Sequence, residues 1–278
     1  MIVFIYLSRI ELIYMNISKY FTVILLLLFN FSEDVFAQPG VVHEVGVIGG
    51  PLQFRSDYGE RGNSETNSNN KGYGLGIIDY MNFAYNASPR DYFPNHFKVR
   101  NELSYSKTNL QNYGQWIEKN SVGAKQLAAM RGSTQLINLG SQLEYYPLTD
   151  LHEYEYDIGS FAPYVALGIQ VSYYTATATS TLGPMGTAGV TFPKYLIPSD
   201  GRPHGYSSES KAVFSGVIDI GTRYRLGTLS DLVLDLRYQY FASDWVDGLN
   251  PNKDKFSENR SNDSLIWLTV GYIFYLDN

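Results

Sequence analysis

An alternation with period two recurs along most of this chain, and it constrains the fold more than any other feature. After Ser160 the odd positions Phe161, Pro163, Val165, Leu167, Ile169, Val171 and Tyr173 interleave with Ala162, Tyr164, Ala166, Gly168, Gln170 and Ser172. Positions 97–106 set Phe97, Val99, Leu103 and Tyr105 between Lys98, Arg100, Glu102, Ser104 and Ser106. Positions 231–240 set Leu232, Leu234, Leu236, Tyr238 and Tyr240 against Val233, Asp235, Arg237 and Gln239. Successive side chains of an extended strand project to opposite faces. A helical stripe returns every three or four residues and cannot produce this pattern.

The alternation delimits eight segments: 42–54, 72–85, 97–107, 133–146, 160–175, 212–226, 231–241 and 264–276. Each has the length of a tilted membrane-spanning strand, which needs roughly 9–11 residues in hydrocarbon. The connections after the first, third, fifth and seventh segments are long and polar (55–71, 108–132, 176–211, 242–263). Those after the second, fourth and sixth (86–96, 147–159, 227–230) are shorter. Antiparallel neighbours place alternate connections at opposite ends, so long loops gather at one end and turns at the other, as in outer-membrane barrels. Loop 55–71 reads as polar and mobile, 121–131 as a short helix, and 175–179 as a continuation of its strand.

Aromatic residues sort into two rings on the same assumption. Phe83, Tyr85, Phe97, Tyr145, Phe161, Tyr224 and Phe274 fall towards the turn end, and Tyr73, Tyr105, Tyr173, Phe214, Tyr238 and Tyr240 towards the loop end. Amphipathic rings collect at both membrane boundaries. A soluble lipocalin-like barrel or β-sandwich alternates too, with its apolar face inward. Against it, the polar face here is rich in small residues (Gly74, Gly76, Ser104, Ser106, Gly140, Ala166, Gly168), which suit a narrow lumen. The expected fold is an all-β, single antiparallel up-and-down transmembrane barrel of eight strands, or ten if 176–211 hides a further hairpin.

Residues 1–37 read as a secretory signal, with translation starting at Met15, Lys19 as the positive flank, Phe21–Phe29 as the apolar core and cleavage after Ala37. That leaves 38–278 as the barrel. The apolar core is about half the length of a spanning helix. A net charge of −6 provides no basic surface for nucleic acid. With no cysteine, disulfides, thiolate metal sites and cysteine nucleophiles are excluded.

Three stretches carry a resemblance: His43–Gly50 (HEVGVIGG), the Gly-aromatic run Gly72–Gly76 (GYGLG), and the closing segment Gly271–Leu276 (GYIFYL). Through them the chain resembles the small outer-membrane β-barrel proteins of Bacteroidota, among them the PorG-like accessory barrels of type IX secretion. The closing segment is similar to the C-terminal signal read by the barrel-assembly machinery, with Asp277 and Asn278 after its last apolar residue as a departure. The resemblance implies outer-membrane lipid and that machinery as partners, together with an envelope protein partner. It supplies no functional residue.

Charges on the lumen-facing positions are the sharpest candidate site. With a turn near Thr228, Asp219 falls opposite Arg237, and Arg223 diagonal to Asp235; Lys98, Arg100, Glu102, Glu144 and Arg225 extend the set. Opposed charges in a narrow interior pair and fill it, giving a plug; the rival is a pore. Asp79 breaks the pattern, since its register aims a carboxylate at lipid. A local bulge that turns it inward, or a protein partner that covers it, resolves the conflict. His204 with Ser199, Asp200, Ser207 and Ser208 is a Ser/His/Asp set without a nucleophile elbow, and reads as an ordinary polar loop. Asp150, His152, Glu153, Glu155 and Asp157 read as a solvated acidic turn rather than a metal site. The expectation is a noncatalytic structural or accessory envelope barrel without cofactor or metal, with a small channel and a lipid-modifying hydrolase as rivals.

Overall fold

The computed structural model describes residues 41–60, 63–84, 88 and 90–276, so the signal segment and the cleavage position lie outside the described residues. Eight strands follow one another in chain order: β1 (Val42–Arg55), β2 (Lys71–Asn82), β3 (Phe97–Gln111), β4 (Met130–Tyr145), β5 (Phe161–Ser180), β6 (Glu209–Gly227), β7 (Ser230–Phe241) and β8 (Ser264–Tyr275). Each pairs antiparallel with its neighbours, and β1 pairs with β8, closing the barrel. This is the eight-stranded fold that the alternation predicts. The stretch between β5 and β6 adds no ninth or tenth strand among the described residues; it holds a 3-10 turn (Pro193–Leu196) and an isolated bridge, Ser199 to Arg202. The helix expected near 121–131 spans Val122–Ala129, capped by Ser121, whose side chain accepts from the Ala124 N–H.

The polarity of the wall is inverted relative to a soluble barrel. On β5 the outward Leu167 and Ile169 are 67% and 72% exposed, while the inward Gln170 and Ser172 are buried. On β7 Leu234 and Leu236 face out, and Asp235 and Arg237 face in. Exposed apolar area on this scale, running round a closed sheet, is stable in hydrocarbon and costly in water. The closed ladder pairs the backbone groups of the wall with one another, which a lipid environment requires.

Rings mark both edges of the apolar belt. At the turn end Phe93 stacks on Phe97 and Phe97 on Tyr145, with centroids 4.8 Å apart in each case, and Phe161 lies 4.9 Å from Tyr224. At the loop end Tyr73, Tyr173, Phe214, Tyr238 and Tyr240 are exposed.

The long loops are packed rather than loose, which corrects the reading of 55–71 as a mobile loop. Ser56, Asp57, Tyr58, Thr66, Asn67 and Asn70 are all buried. The Asn70 side chain donates to the Tyr58 carbonyl at 2.9 Å, and the Tyr195 hydroxyl donates to the Asp57 carbonyl at 3.0 Å. Phe54 stacks on Phe241 at 5.9 Å, and Trp245, Val246 and Leu249 are buried in the same apolar cluster. A polar sequence concealed this because its amides and hydroxyls satisfy one another inside the loop cluster.

An interior glycine makes room for one large ring. Trp267 on β8 is buried in the bore, and a Cβ on Gly74 would sit 2.6 Å from it. Its indole N–H donates to the Gly50 carbonyl at 3.2 Å, and the Arg237 guanidinium lies 5.3 Å from the ring centroid. Gly74→Ala therefore drives the indole against Arg237, and an expected loss of about 1–2 kcal/mol is read from urea unfolding in lipid vesicles. An unchanged midpoint would show that the ring has space to retreat.

Candidate functional site

All nine predicted lumen residues are buried inside the barrel, where two further carboxylates, Glu44 and Asp231, join them. The hairpin register places Asp219 opposite Arg237. Arg237 donates through Nε to both Asp219 oxygens at 3.1 and 3.2 Å, and through its two terminal nitrogens to Glu102 at 2.6 and 2.7 Å. Arg100 donates to Glu102 at 2.8 Å and to Asp235 at 2.9 Å, and stands 3.6 Å from Glu144. The Tyr146 hydroxyl donates to Glu144.

A second cluster lies nearer the turn end. Glu44 accepts from Lys98 at 2.5 Å, Arg223 at 2.6 Å and Asn82 at 2.9 Å. Asp231 accepts from Arg223 and Arg225, each at 3.2 Å, and from the Tyr275 hydroxyl at 2.8 Å. Arg223 therefore does not pair with Asp235 as the hairpin diagonal suggested. Asp235 is taken by Arg100 from across the bore, and the Arg223 guanidinium reaches Glu44, on the first strand. Arg223 instead takes the other hairpin diagonal, Asp231, and, being long in a narrow barrel, also reaches Glu44 on another strand. At the turn itself Asn82 donates to Glu155 at 2.6 Å, and burial pushes the Glu155 carboxyl up from its ordinary pKa.

Several of these bonds cross the bore, while Asp219–Arg237, Arg100–Glu102 and Arg225–Asp231 stay along its wall. Arg237 on β7 grips Glu102 on β3, and Arg100 on β3 grips Asp235 on β7, strands that stand opposite each other in the ring of eight. Above them Gln239 donates to Asn138, Ser172 and Ser215 at 3.3, 3.1 and 2.8 Å, tying β7 to β4, β5 and β6. An eight-stranded interior is just wide enough for side chains to fill.

Asp79 does face outward, and no bulge is present. The register runs without a break through Val45–Asp79 and Asp79–Asn101, and the nearest irregularity of this kind lies far away, between Arg225 and Gly227. The carboxylate is instead one rung of a polar ladder on the outer wall. His43 Nδ1 and Asp79 are 2.8 Å apart, Asn101 donates to Asp79 at 3.1 Å, and Ser141 donates to Asn101 at 2.7 Å. Bulging is unnecessary because neighbours across three strands supply the partners that lipid cannot.

The remaining candidates are held in local structure. His204 Nδ1 lies 3.4 Å from the Leu196 carbonyl and its ring stacks on Tyr206, while Asp200 accepts from the Trp245 indole at 2.9 Å and Ser208 from the Ala178 N–H at 3.0 Å. No hydrogen bond joins His204 to Ser199, Asp200, Ser207 or Ser208 among the described residues. Asp150 caps the short helix Leu151–Tyr154, accepting from the His152 and Glu153 N–H groups.

No protein-family model and no curated protein matches the sequence. Solved structures match in outline. A major outer membrane protein from Thermus thermophilus aligns with a TM-score of 0.43 at 10% identity, over 84% of this chain and 99% of that one. Ail, the attachment invasion locus protein of Yersinia pestis, solved in complex with the heparin analogue sucrose octasulfate, gives 0.41 at 10% identity over 85% and 99%. Neisserial surface protein A gives 0.40 at 14% identity over 84% and 97%. These likenesses carry no residue's role to this chain.

Its own geometry defines the class: a closed β-barrel with an apolar wall and a charged interior, the arrangement of membrane-spanning barrels. Within that class it is a small barrel of eight strands whose interior is crossed by ion pairs.

Proposed function

We propose that this protein is a noncatalytic, nonconducting barrel of the bacterial outer membrane. It serves as a structural or accessory component of the envelope, including a secretion or assembly complex of the type IX kind. The carrying observation is the set of ion pairs across the bore, Arg237 to Glu102 and Arg100 to Asp235. Groups spent on one another in this way are not available to pass ions, and they leave the loops and the outer wall as the working surfaces. The seam supports assembly through the C-terminal strand: β8 closes on β1, and the Leu276 N–H donates to the His43 carbonyl at 3.1 Å. Residues 271–276 are on this reading the segment offered to the barrel-assembly machinery.

Reconstituted in planar bilayers, the protein is expected to give a trace indistinguishable from lipid alone. Reproducible discrete steps would establish the channel reading instead.

A further inference from the structure

Aromatic and acidic groups of the loop end that take no part in the lumen network meet at one cavity. It measures about 460 Å³ and draws its walls from all four long loops: 57–60 after β1, 112–127 after β3, 192–194 after β5 and 256–258 after β7. Tyr113, Trp116, Phe192 and Phe256 provide ring surface, and Glu60 and Glu258 provide carboxylates. Convergence of four separate loops on one aromatic hollow is more than any single loop's fold requires.

The hydrogen-bonding character of the lining is one-sided. Trp116 Nε1 donates to Glu60 at 2.6 Å, Asn112 Nδ2 to the Leu127 carbonyl at 3.0 Å, and Lys194 Nζ to Asn259 at 3.1 Å. With those donors engaged inside the protein, the cavity offers an incoming group mainly acceptors and π-faces. A neutral sugar, which needs donors and acceptors in comparable number, is poorly matched, and an anion is disfavoured because the carboxylates of Asp57, Glu60 and Glu258 outnumber the single lining ammonium, Lys194. The Trp116 indole already holds one cation, the Lys119 ammonium 3.7 Å from its ring centroid, and an incoming cation takes the place of that side chain on the ring. The walls are also set in place before any ligand arrives. Gly114 adopts φ +81 beside Thr66, and a Cβ on Gly123 would stand 2.9 Å from the Phe192 ring.

We infer that this cavity binds an organic cation, an alkylammonium or guanidinium group seated on aromatic faces with Glu60 and Glu258 as counter-charge. Such a group is attracted to ring faces within about 6 Å of the centroid. The group can belong to a free amine or to the basic side chain of a peptide. The inference rests on the reading that the loops, not the bore, do the protein's work.

Calorimetry on the full barrel in detergent tests it, using benzyltrimethylammonium against its uncharged isostere neopentylbenzene. The cation is expected to bind at least about tenfold more tightly, and Trp116→Leu or Glu60→Gln to weaken it by about tenfold. Heat-modifiable migration of each variant on gels shows that it is folded. Equal affinity for the uncharged isostere, or no saturable binding of the cation, overturns the inference. Displacement of the bound cation by N-acetyl-Phe-Lys-amide, but not by its Lys-acetylated form, assigns the group to a peptide; displacement by phenethylammonium alone assigns it to a free amine. Failure of binding together with a silent bilayer trace would remove only this site, whereas conductance steps would remove the nonconducting reading and leave the cavity to be judged by calorimetry.

Discussion

Arg237→Met is expected to lower the unfolding free energy by about 3–5 kcal/mol, the usual cost of removing one partner from a buried charge network. Arg237 is buried, with Asp219 and Glu102 both committed to it and equally buried. Methionine fills much of the same volume, so the loss comes from Asp219, left with only the Arg100 guanidinium 3.8 Å away, and from Glu102, which keeps Arg100 alone. The combination of Arg237→Met with Asp219→Asn and Glu102→Gln removes the charges together and is expected to recover most of the loss. Reversible urea unfolding from lipid vesicles, followed by tryptophan fluorescence, measures all three changes in one cycle. A single-variant loss under about 1 kcal/mol would mean that water or rearranged neighbours solvate those carboxylates, and the closed interior would have to be abandoned.

The wall of this barrel was legible because lipid and lumen impose opposite demands on alternate residues, and each residue records its side independently. The strand β5, with Leu167 and Ile169 outside and Gln170 and Ser172 inside, needs no knowledge of any partner strand to be read. The end of the barrel to which each connection belongs followed from the alternation of long loops and short turns. The Asp219–Arg237 pair was also within reach, since a tight hairpin turn fixes its register. Pairing across the bore was not, because it depends on how far the sheet is staggered on closing, which no local pattern states. Glu44 and Asp231 were missed for a narrower reason. Glu44 shares the inward parity of Ile48, and Asp231 that of Asp235 and Arg237, so extending the alternation to the strand ends would have found both. The outer ladder escaped because a single strand's alternation gives no reason to pick out Asn101 or Ser141, and only the side-by-side register of β2, β3 and β4 lines them up with Asp79.

That ladder yields the second large effect. Asn101 stands four residues from Phe97 and four from Tyr105 along β3, midway between the two aromatic rings, so the bonds to Asp79 and Ser141 lie near the centre of the apolar belt. A charge on the lipid face at that depth destabilises a barrel, which makes replacing Asp79 by leucine look favourable. The hydrogen bonds argue the reverse. Asp79→Leu strips His43 and Asn101 of a shared acceptor in a medium that offers no substitute, and each broken bond costs about 1–3 kcal/mol. The relief of removing the carboxylate offsets part of this, so a net loss of about 2–3 kcal/mol is expected. Asp79→Asn keeps an acceptor without the charge and should fall within about 1 kcal/mol of the wild type. The same vesicle unfolding assay separates the two. If Asp79→Leu proved more stable than the wild type, the carboxylate would be an uncompensated cost to the barrel in lipid. Its retention would then point to a membrane partner lying against β1–β3, because the fold itself would gain nothing from keeping it.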